Sequence, residues 1–469
     1  MNVLPHSCLL FFTFVPFSPP ILNSSCNTQM YKSQFHHYIP RFILKTFSDN
    51  FTLTPADSEY VATPNGLFKA SELPKMQLAD KGRAKVNGKK KHGKNKAATR
   101  PSGQLSHHIN VYQVENRTTV QSDIARAYGI DDMYRDISEE DCMKFEKLLA
   151  QLESVSSTFI RRIWAGEDLS MTREKLLDLK KFLAIMMYRG PNRRGQYFNK
   201  MFDPMTYATI QKHMAHNNIQ RIQDVWFENL KWLIKTPFQE IMNEALKATK
   251  SGQMEGATEK RPEKIFESVS KTGMEMVSRY RGPIHVAELL DFFFQIQHYV
   301  CIWEAEEGSE FILSEGCFGS FEGDMGISFH NFFVVSPKYA IVLVRRDYMF
   351  GTMDILPLRK SWFSETLHAN PETVYVKGPP PENFDSKKHF TPNDIFKYRR
   401  IKAPKRDVFL VNSIFLDSRR KFLSYKSSAS MLKCLRYYDK VKPKMFPNGY
   451  SYSLLKRQLF NDLNRTHSL

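Results

Sequence analysis

The side chains in this sequence best suited to chemistry are imidazoles, guanidiniums and carboxylates at the ends of expected elements. His36-His37-Tyr38-Ile39-Pro40-Arg41 sets two imidazoles just ahead of a proline and an arginine. Pro40 suits a first helical turn. His37 and Arg41 could frame a polar site that takes an anion or a metal; His37 could also do no more than cap the turn. Arg189, Arg193 and Arg194 form the densest charge cluster in the folded part of the chain. Planar guanidinium forks match phosphate oxygens. Cations at a helix C-terminus also simply complement its dipole and stay solvated. Ser314 and Glu315 stand where a strand runs into a turn, a position that often carries function and is also met in ordinary turns.

Metal or hydrolytic chemistry asks for more. His36, His37, His107 and His108 are two doublets that would have to meet at one sheet edge. A metal centre needs three or four ligands with a supporting shell. Nothing in the spacing sets that geometry, so no metal is assigned, and the cofactor question stays open. A metal-assisted nuclease needs clustered carboxylates and a lysine. Glu304, Glu306, Glu307, Glu310 and Glu315 are clustered, but no lysine follows at close spacing. A glutamate-rich hairpin tip is commonly just a solvated loop. The sequence has no GxSxG elbow, no cysteine in a nucleophile signature and no glycine-rich phosphate loop. A serine triad stays open because the order of its members is free.

The elements that must position these groups follow from hydrophobic period. Residues 36–47 read as a loop entering a helix, with Ile43 and Phe47 on one face and Arg41 and Lys45 on another. Residues 107–114 read as a strand, with Ile109, Val111 and Tyr112 feeding the core. Helical spacing covers 139–164 and 172–189; Thr172 is a plausible N-cap and Gly190-Pro191 a stop. Further helices are expected at 205–216, 222–248, 263–281 and 285–297. Residues 299–304 and 310–314 flank Glu-Gly-Ser in the pattern of a β-hairpin, and 340–346 and 407–411 look like strands. Residues 378–392 read as a Pro- and charge-rich loop, and short helices are expected near 427–438 and 451–463. The predicted class is α+β: a helical middle and a small mixed or antiparallel sheet, built mainly from the C-terminal half and completed by the strand near 110.

Charge is unevenly spread. The net charge is +18, and residues 75–100 supply half of it through ten Lys or Arg against the single acid Asp80. The stretch 75–104 is low in complexity and reads as a disordered basic insertion in a surface loop. Its core, Lys89-Lys90-Lys91-His92-Gly93-Lys94-Asn95-Lys96, resembles a nuclear-targeting or nucleic-acid-binding patch, so nucleic acid is the partner it suggests. Six cysteines, none in a CxxC pair, fit a reducing compartment. Residues 8–22 are apolar as in a signal peptide, but no basic residue precedes Lys32, and Pro16, Pro19 and Pro20 would break a helical core. Four N-x-S/T sequons, at Asn23, Asn50, Asn116 and Asn464, lean toward secretion; such triplets also arise by chance. A cytoplasmic or nuclear location is the expectation, with residues 1–29 read as a disordered tail or a gene-model artefact ahead of Met30. No apolar run reaches the ~20 residues of a membrane span.

Put in order, these segments resemble the family catalogued as domain of unknown function 4238. The likeness rests on the opening HHYIPRFILKTF, on Val111-Tyr112-Gln113-Val114, and on a helix bearing Glu146 and Glu153. It continues through Arg189-Gly190-Pro191-Asn192-Arg193, Phe311 to Cys317, Val334-Val335-Ser336-Pro337 and Val411-Asn412. It spans roughly residues 34–438, and adds Asn412 to the candidate ligand contacts. One departure stands out: the family's Ser-Asp-x-Pro-like turn has Glu315 and Cys317 in place of the Asp and Pro. The resemblance implies a single domain over 30–440 with a C-terminal extension at 441–469, and supplies no activity. The reading is a binding module whose Arg41, Arg189, Arg193, Ser314 and Asn412 touch phosphate or another ligand. The alternatives are a phosphodiester hydrolase with His37 or Glu315 near the chemistry, or an inactive regulatory remnant. A hydrolase requires His37, Arg189 and Glu315 to converge.

Overall fold

A computed structural model describes residues 33–51, 60–63, 66–69, 107–113, 118–134, 144–166, 169–250, 280–296, 298–316, 318–322, 328–344, 373–376, 391–417 and 421–445. The tail at 1–29, the insertion at 75–104, the helices expected at 263–281 and 451–463, most of the loop at 378–392 and the extension beyond Met445 lie outside these residues.

The class is α+β. Strand β1 (Phe35–His37) leads through Pro40 into α1 (Arg41–Thr46). A hairpin of β2 (Tyr60–Thr63) and β3 (Gly66–Lys69) comes next. It is followed by β4 (His108–Gln113), β5 (Thr118–Asp123) and β6 (Gly129–Asp131). The helical middle comprises α2 (Lys144–Ala165), α3 (Arg173–Arg189), α4 (Pro191–Phe198), α5 (Pro204–His216), α6 (Ile222–Lys235), α7 (Phe238–Lys250) and α8 (Val286–Ile296), with β7 (Leu169–Thr172) between α2 and α3. The C-terminal half adds β8 (Tyr299–Ala305), β9 (Leu313–Ser314), β10 (Phe318–Glu322), β11 (Ser328–Val334), β12 (Tyr339–Val344), β13 (Thr373–Val376), β14 (Ile395–Tyr398) and β15 (Arg400–Ala403). Helix α9 (Lys405–Asp417), β16 (Phe422–Tyr425) and α10 (Ser428–Met445) close the described chain.

Local chemistry sets these elements. Thr172 caps α3, its hydroxyl accepting from the Lys175 N–H at 3.4 Å. Gly190 ends α3 and Pro191 starts α4 at once, since a proline at the first position has no N–H to leave unbonded. The apolar period expected over 222–248 is broken in two at Thr236-Pro237 for the complementary reason: Pro237 cannot donate to a continuing helix. The strand expected at 407–411 is a correction. Those residues lie in α9, where every residue from Asp407 to Leu416 is buried. A continuous apolar run reads the same for a buried strand and a buried helix. The hairpin expected across Glu-Gly-Ser is also corrected. β8 pairs with β12 and β15, whereas β9 pairs with β16.

Three larger sheets result. β10-β11-β12-β8-β15 is antiparallel except for its last pair, in which Arg400–Ala403 runs parallel to Ile302–Ala305. β5-β4-β16-β9 joins the strand near 110 to the C-terminal half, as expected, with Val111 opposite Ser424. β13-β14-β7 ties the start of α3 to residues near 395. The small β1-β6 pair sits apart from these, with His36 opposite Ile130. One hydrophobic core runs from Tyr38 to Tyr438 and includes Trp226, Trp303 and the thiol-bearing Cys301 and Cys434, both buried.

Candidate functional site

β1 alternates, so its two histidines face opposite ways. His36 points inward and is 2% exposed. Its Nδ1 accepts from the Tyr134 backbone N–H at 3.2 Å, which leaves the proton on Nε2, and Nε2 lies 3.2 Å from Glu146 Oε2. His37 turns the other way and its Nδ1 contacts the Ala127 carbonyl at 3.0 Å. A carbonyl only accepts, so that nitrogen carries the proton and Nε2 presents a lone pair. Burial holds the His37 imidazole below its ordinary range; the Ala127 carbonyl works against this, and the positive charges of Arg41 and Arg189 add to it.

Glu146 and Glu153 lie two turns apart on one face of α2. Glu153 Oε1 takes Arg189 Nη1 at 2.7 Å, and Arg189, the last residue of α3, is fully buried. Tyr134 feels the charge of both acids, and its ring packs 5.5 Å from that of His36. Burial pushes its phenol up to about 12; Arg189 and Arg194 pull it down, and Glu153 and Glu146 push it further up. The Tyr134 hydroxyl is buried and has no hydrogen-bond partner among the described residues.

The helix break at Gly190-Pro191 sends the three arginines apart. Arg193 faces α8, donating through Nε and Nη2 to Glu288 Oε2 at 3.1 and 2.7 Å and lying 3.5 Å from Asp291. Burial works against the Arg193 charge, but Glu288 and Asp291 hold it firmly protonated. Tyr197 completes this group by donating to Glu288 Oε1 at 2.6 Å. Arg194 instead sets its guanidinium carbon over Phe198, 3.6 Å from the ring centroid, and 5.7 Å from that of Trp226. It makes no ion pair among the described residues, and its Nε is buried without a partner.

The remaining sequence candidates lie elsewhere. Arg41 is exposed at the start of α1 and is felt by His37. Glu315 is buried and its Oε2 accepts from the N–H groups of Lys421 and Phe422 at 2.8 and 3.2 Å, fastening the turn to β16. Its charge is felt by Tyr38, next in the chain to His37. Ser314 is fully buried in β9, its hydroxyl without a hydrogen-bond partner among the described residues. Asn412 uses both ends of its amide on the chain ahead of β9: Oδ1 accepts from Ile312 N at 3.0 Å and Nδ2 donates to the Glu310 carbonyl at 2.8 Å. His107 contacts Ser48 Oγ at 3.2 Å, away from the His36–Glu146 pair. Among the described residues no group of three or more His, Cys, Asp or Glu is arranged to hold a metal ion. No described helix is long and apolar enough to cross a membrane.

Thus the structure brings together His36, His37, Tyr134, Glu146, Glu153, Arg189 and Arg194, and sets Arg193, Glu315 and Asn412 in contacts of their own. Tyr134 was missed in the sequence because it stands in an unpatterned turn, and nothing but its place beside β6 marks it. No curated protein and no solved structure matches this chain. The model of a protein family of unknown function, DUF4238, matches residues 36–429, a span that holds every member of this cluster, and the chain belongs to that family.

Proposed function

We propose that this protein binds a phosphate-bearing anion where Arg194 and Tyr134 meet Arg189 and His37. The observation that carries this reading is Arg194. Arg189 has Glu153 and Arg193 has Glu288, but Arg194 lies over the Phe198 ring and has no carboxylate against it among the described residues. A guanidinium fixed by an aromatic face keeps its donors aligned for phosphate oxygens. The Tyr134 hydroxyl, whose phenol feels the Arg194 charge, lacks an acceptor among the described residues, which an anion would supply.

The test compares the full chain with a version lacking residues 81–100 for binding of a single-stranded oligonucleotide and of inorganic phosphate, across salt concentrations. Binding that survives the deletion, falls with salt and drops at least tenfold in Arg194→Ala supports the reading. Binding that vanishes with the basic insertion, or is indifferent to Arg194, sinks it.

A second reading, phosphodiester hydrolysis, keeps His37 and Arg189 of the three groups it needs but loses Glu315, which is engaged by the Lys421 and Phe422 N–H groups. The protonated Nδ1 of His37 is anchored on Ala127 and its Nε2 is left as an acceptor, the arrangement of a general base. Under this reading a chromogenic phosphodiester is cleaved by the wild type and not by His37→Gln, while oligonucleotide binding persists in the variant.

A further inference from the structure

Away from that cluster, the buried His285 meets the half-buried His213 where α5 approaches the start of α8. The rings of His213 and His285 meet edge to face with centroids 5.7 Å apart. Thr209 donates its hydroxyl proton to the Thr206 carbonyl at 2.8 Å, so its oxygen accepts from His285 Nε2 at 3.0 Å. His285 Nδ1 is therefore an unprotonated, buried nitrogen without a partner. On the other ring, Asn217 Nδ2 lies 3.1 Å from His213 Nδ1, and an amide NH2 only donates. That places the His213 proton on Nε2, which is buried and also without a partner.

Every fixed neighbour opposes a second proton on either ring. His285 stands just before α8, its carbonyl accepting from the N–H groups of Glu288 and Leu289, at the positive end of the helix dipole. Arg193 adds a positive charge beside His285, and His216 faces His213 from one turn along α5. Glu288, three residues along from His285, is already engaged by Arg193 and Tyr197. The backbone N–H of His285 is held by Asn229 Oδ1 at 3.1 Å, and Asn229 in turn donates to the Tyr188 hydroxyl at 3.2 Å. The α5 side buries Ile210 and Met214 in the core; toward His285 it is held by the Thr209 hydroxyl, and just beyond α5 Asn217 donates to the Gly282 carbonyl at 3.3 Å.

We propose that the His213–His285 contact is an acid-operated latch, which parts α5 from α8 when both imidazoles take up protons. Burial holds each at about 4 in the folded chain; beside it, His285 and His216 act further on His213, and Arg193 acts further on His285. Their value in the unfolded chain is about 6.5. The folded value is depressed, so the unlatched or unfolded form binds more protons between these limits. The closed latch is intact above pH about 6.5 and weakens as pH falls toward about 4. The inference does not depend on the ligand site.

The test is backbone hydrogen exchange of the full chain at pH 7.5, 5.5 and 4.5, corrected for intrinsic rates. Residues 204–216 are expected to exchange at least tenfold faster at pH 4.5 than at 7.5, with α3 and β12 unchanged over the same range. The double variant His213→Gln with His285→Gln is expected to lose that step. An equal acceleration in the variant, or none in the wild type, overturns the latch. Should the double variant fail to fold, the imidazole C–H resonances of the wild type decide. Both are expected to titrate below pH about 5, and titration near 6.5 overturns the proposal.

Discussion

Three arginines within six residues look alike in a sequence and have three different surroundings in the fold. Arg189 is enclosed against Glu153, Arg193 is neutralised by Glu288 and Asp291, and Arg194 rests on Phe198. The residue types were legible beforehand; the division was not, because it depends on which helix each guanidinium leaves after the Gly190-Pro191 break. A residue-scale prediction follows from the first pair. Arg189 is 0% exposed and Glu153 24%. Removing one partner of a buried pair costs about 3–5 kcal/mol, and the partial hydration of Glu153 keeps the figure near the low end. Arg189→Ala is therefore expected to lower the stability by about 3 kcal/mol in urea unfolding. Glu153→Ala on top of it should add little, giving a coupling of at least about 1 kcal/mol. Additive losses would mean that the pair does not act as one unit.

At the scale of elements, the most sensitive piece is the short β1-β6 pair that aims the two histidines. Three residues a side make it weak alone, so register and close approach matter. Gly129 stands opposite His37, and a Cβ there would come within 2.6 Å of the His36 carbonyl oxygen and 2.3 Å of the Phe35 ring. The ring can swing away; the backbone oxygen cannot move without carrying His36 off Glu146. Gly129→Ala is expected to cost about 1–3 kcal/mol in thermal unfolding and to weaken any ligand binding at the Arg194 site. Unchanged stability would show that β1 has slack. Helical period made α2, α3 and α5 readable. What it could not show was β1, β6 and β7, which are too short for an alternating pattern, or the helical state of α9. Two of the glutamates in that cluster accept backbone N–H groups where helices start, though Glu306 and Glu307 are exposed as a solvated tip would be. Glu306 accepts from Lys405 N at 2.9 Å as α9 begins, and Glu310 accepts from Ser427 N at 2.9 Å ahead of α10.

At the scale of the whole molecule, the chain is stitched by pairings far apart in sequence. β4 meets β16 across some three hundred residues, with Tyr112 opposite Leu423, and β7 meets β14 with Met171 opposite Phe396. That the strand near 110 joins the C-terminal half was foreseen; its partner β16 was not. The second pairing was not foreseen, because neither strand is patterned strongly enough to announce it. Such interleaving ties residues 108–113 to 422–425 and 169–172 to 395–398. The described residues are expected to unfold in a single transition, seen at the same denaturant concentration by tryptophan fluorescence and by far-ultraviolet circular dichroism. Two separated transitions would divide the chain into units that this pairing does not suggest.

One feature of the core has a practical reach. Cys301 sits in the middle of β8, 3% exposed, with its thiol pushed up by burial to about 12, and Cys434 is buried in α10. Thiolate, not thiol, attacks alkylating reagents, so Cys301 is silent while the five-stranded sheet is closed. These two sulfurs are timekeepers already built into the protein, one in the sheet and one in α10. The rate at which a reagent finds each of them measures how often that part of the molecule opens.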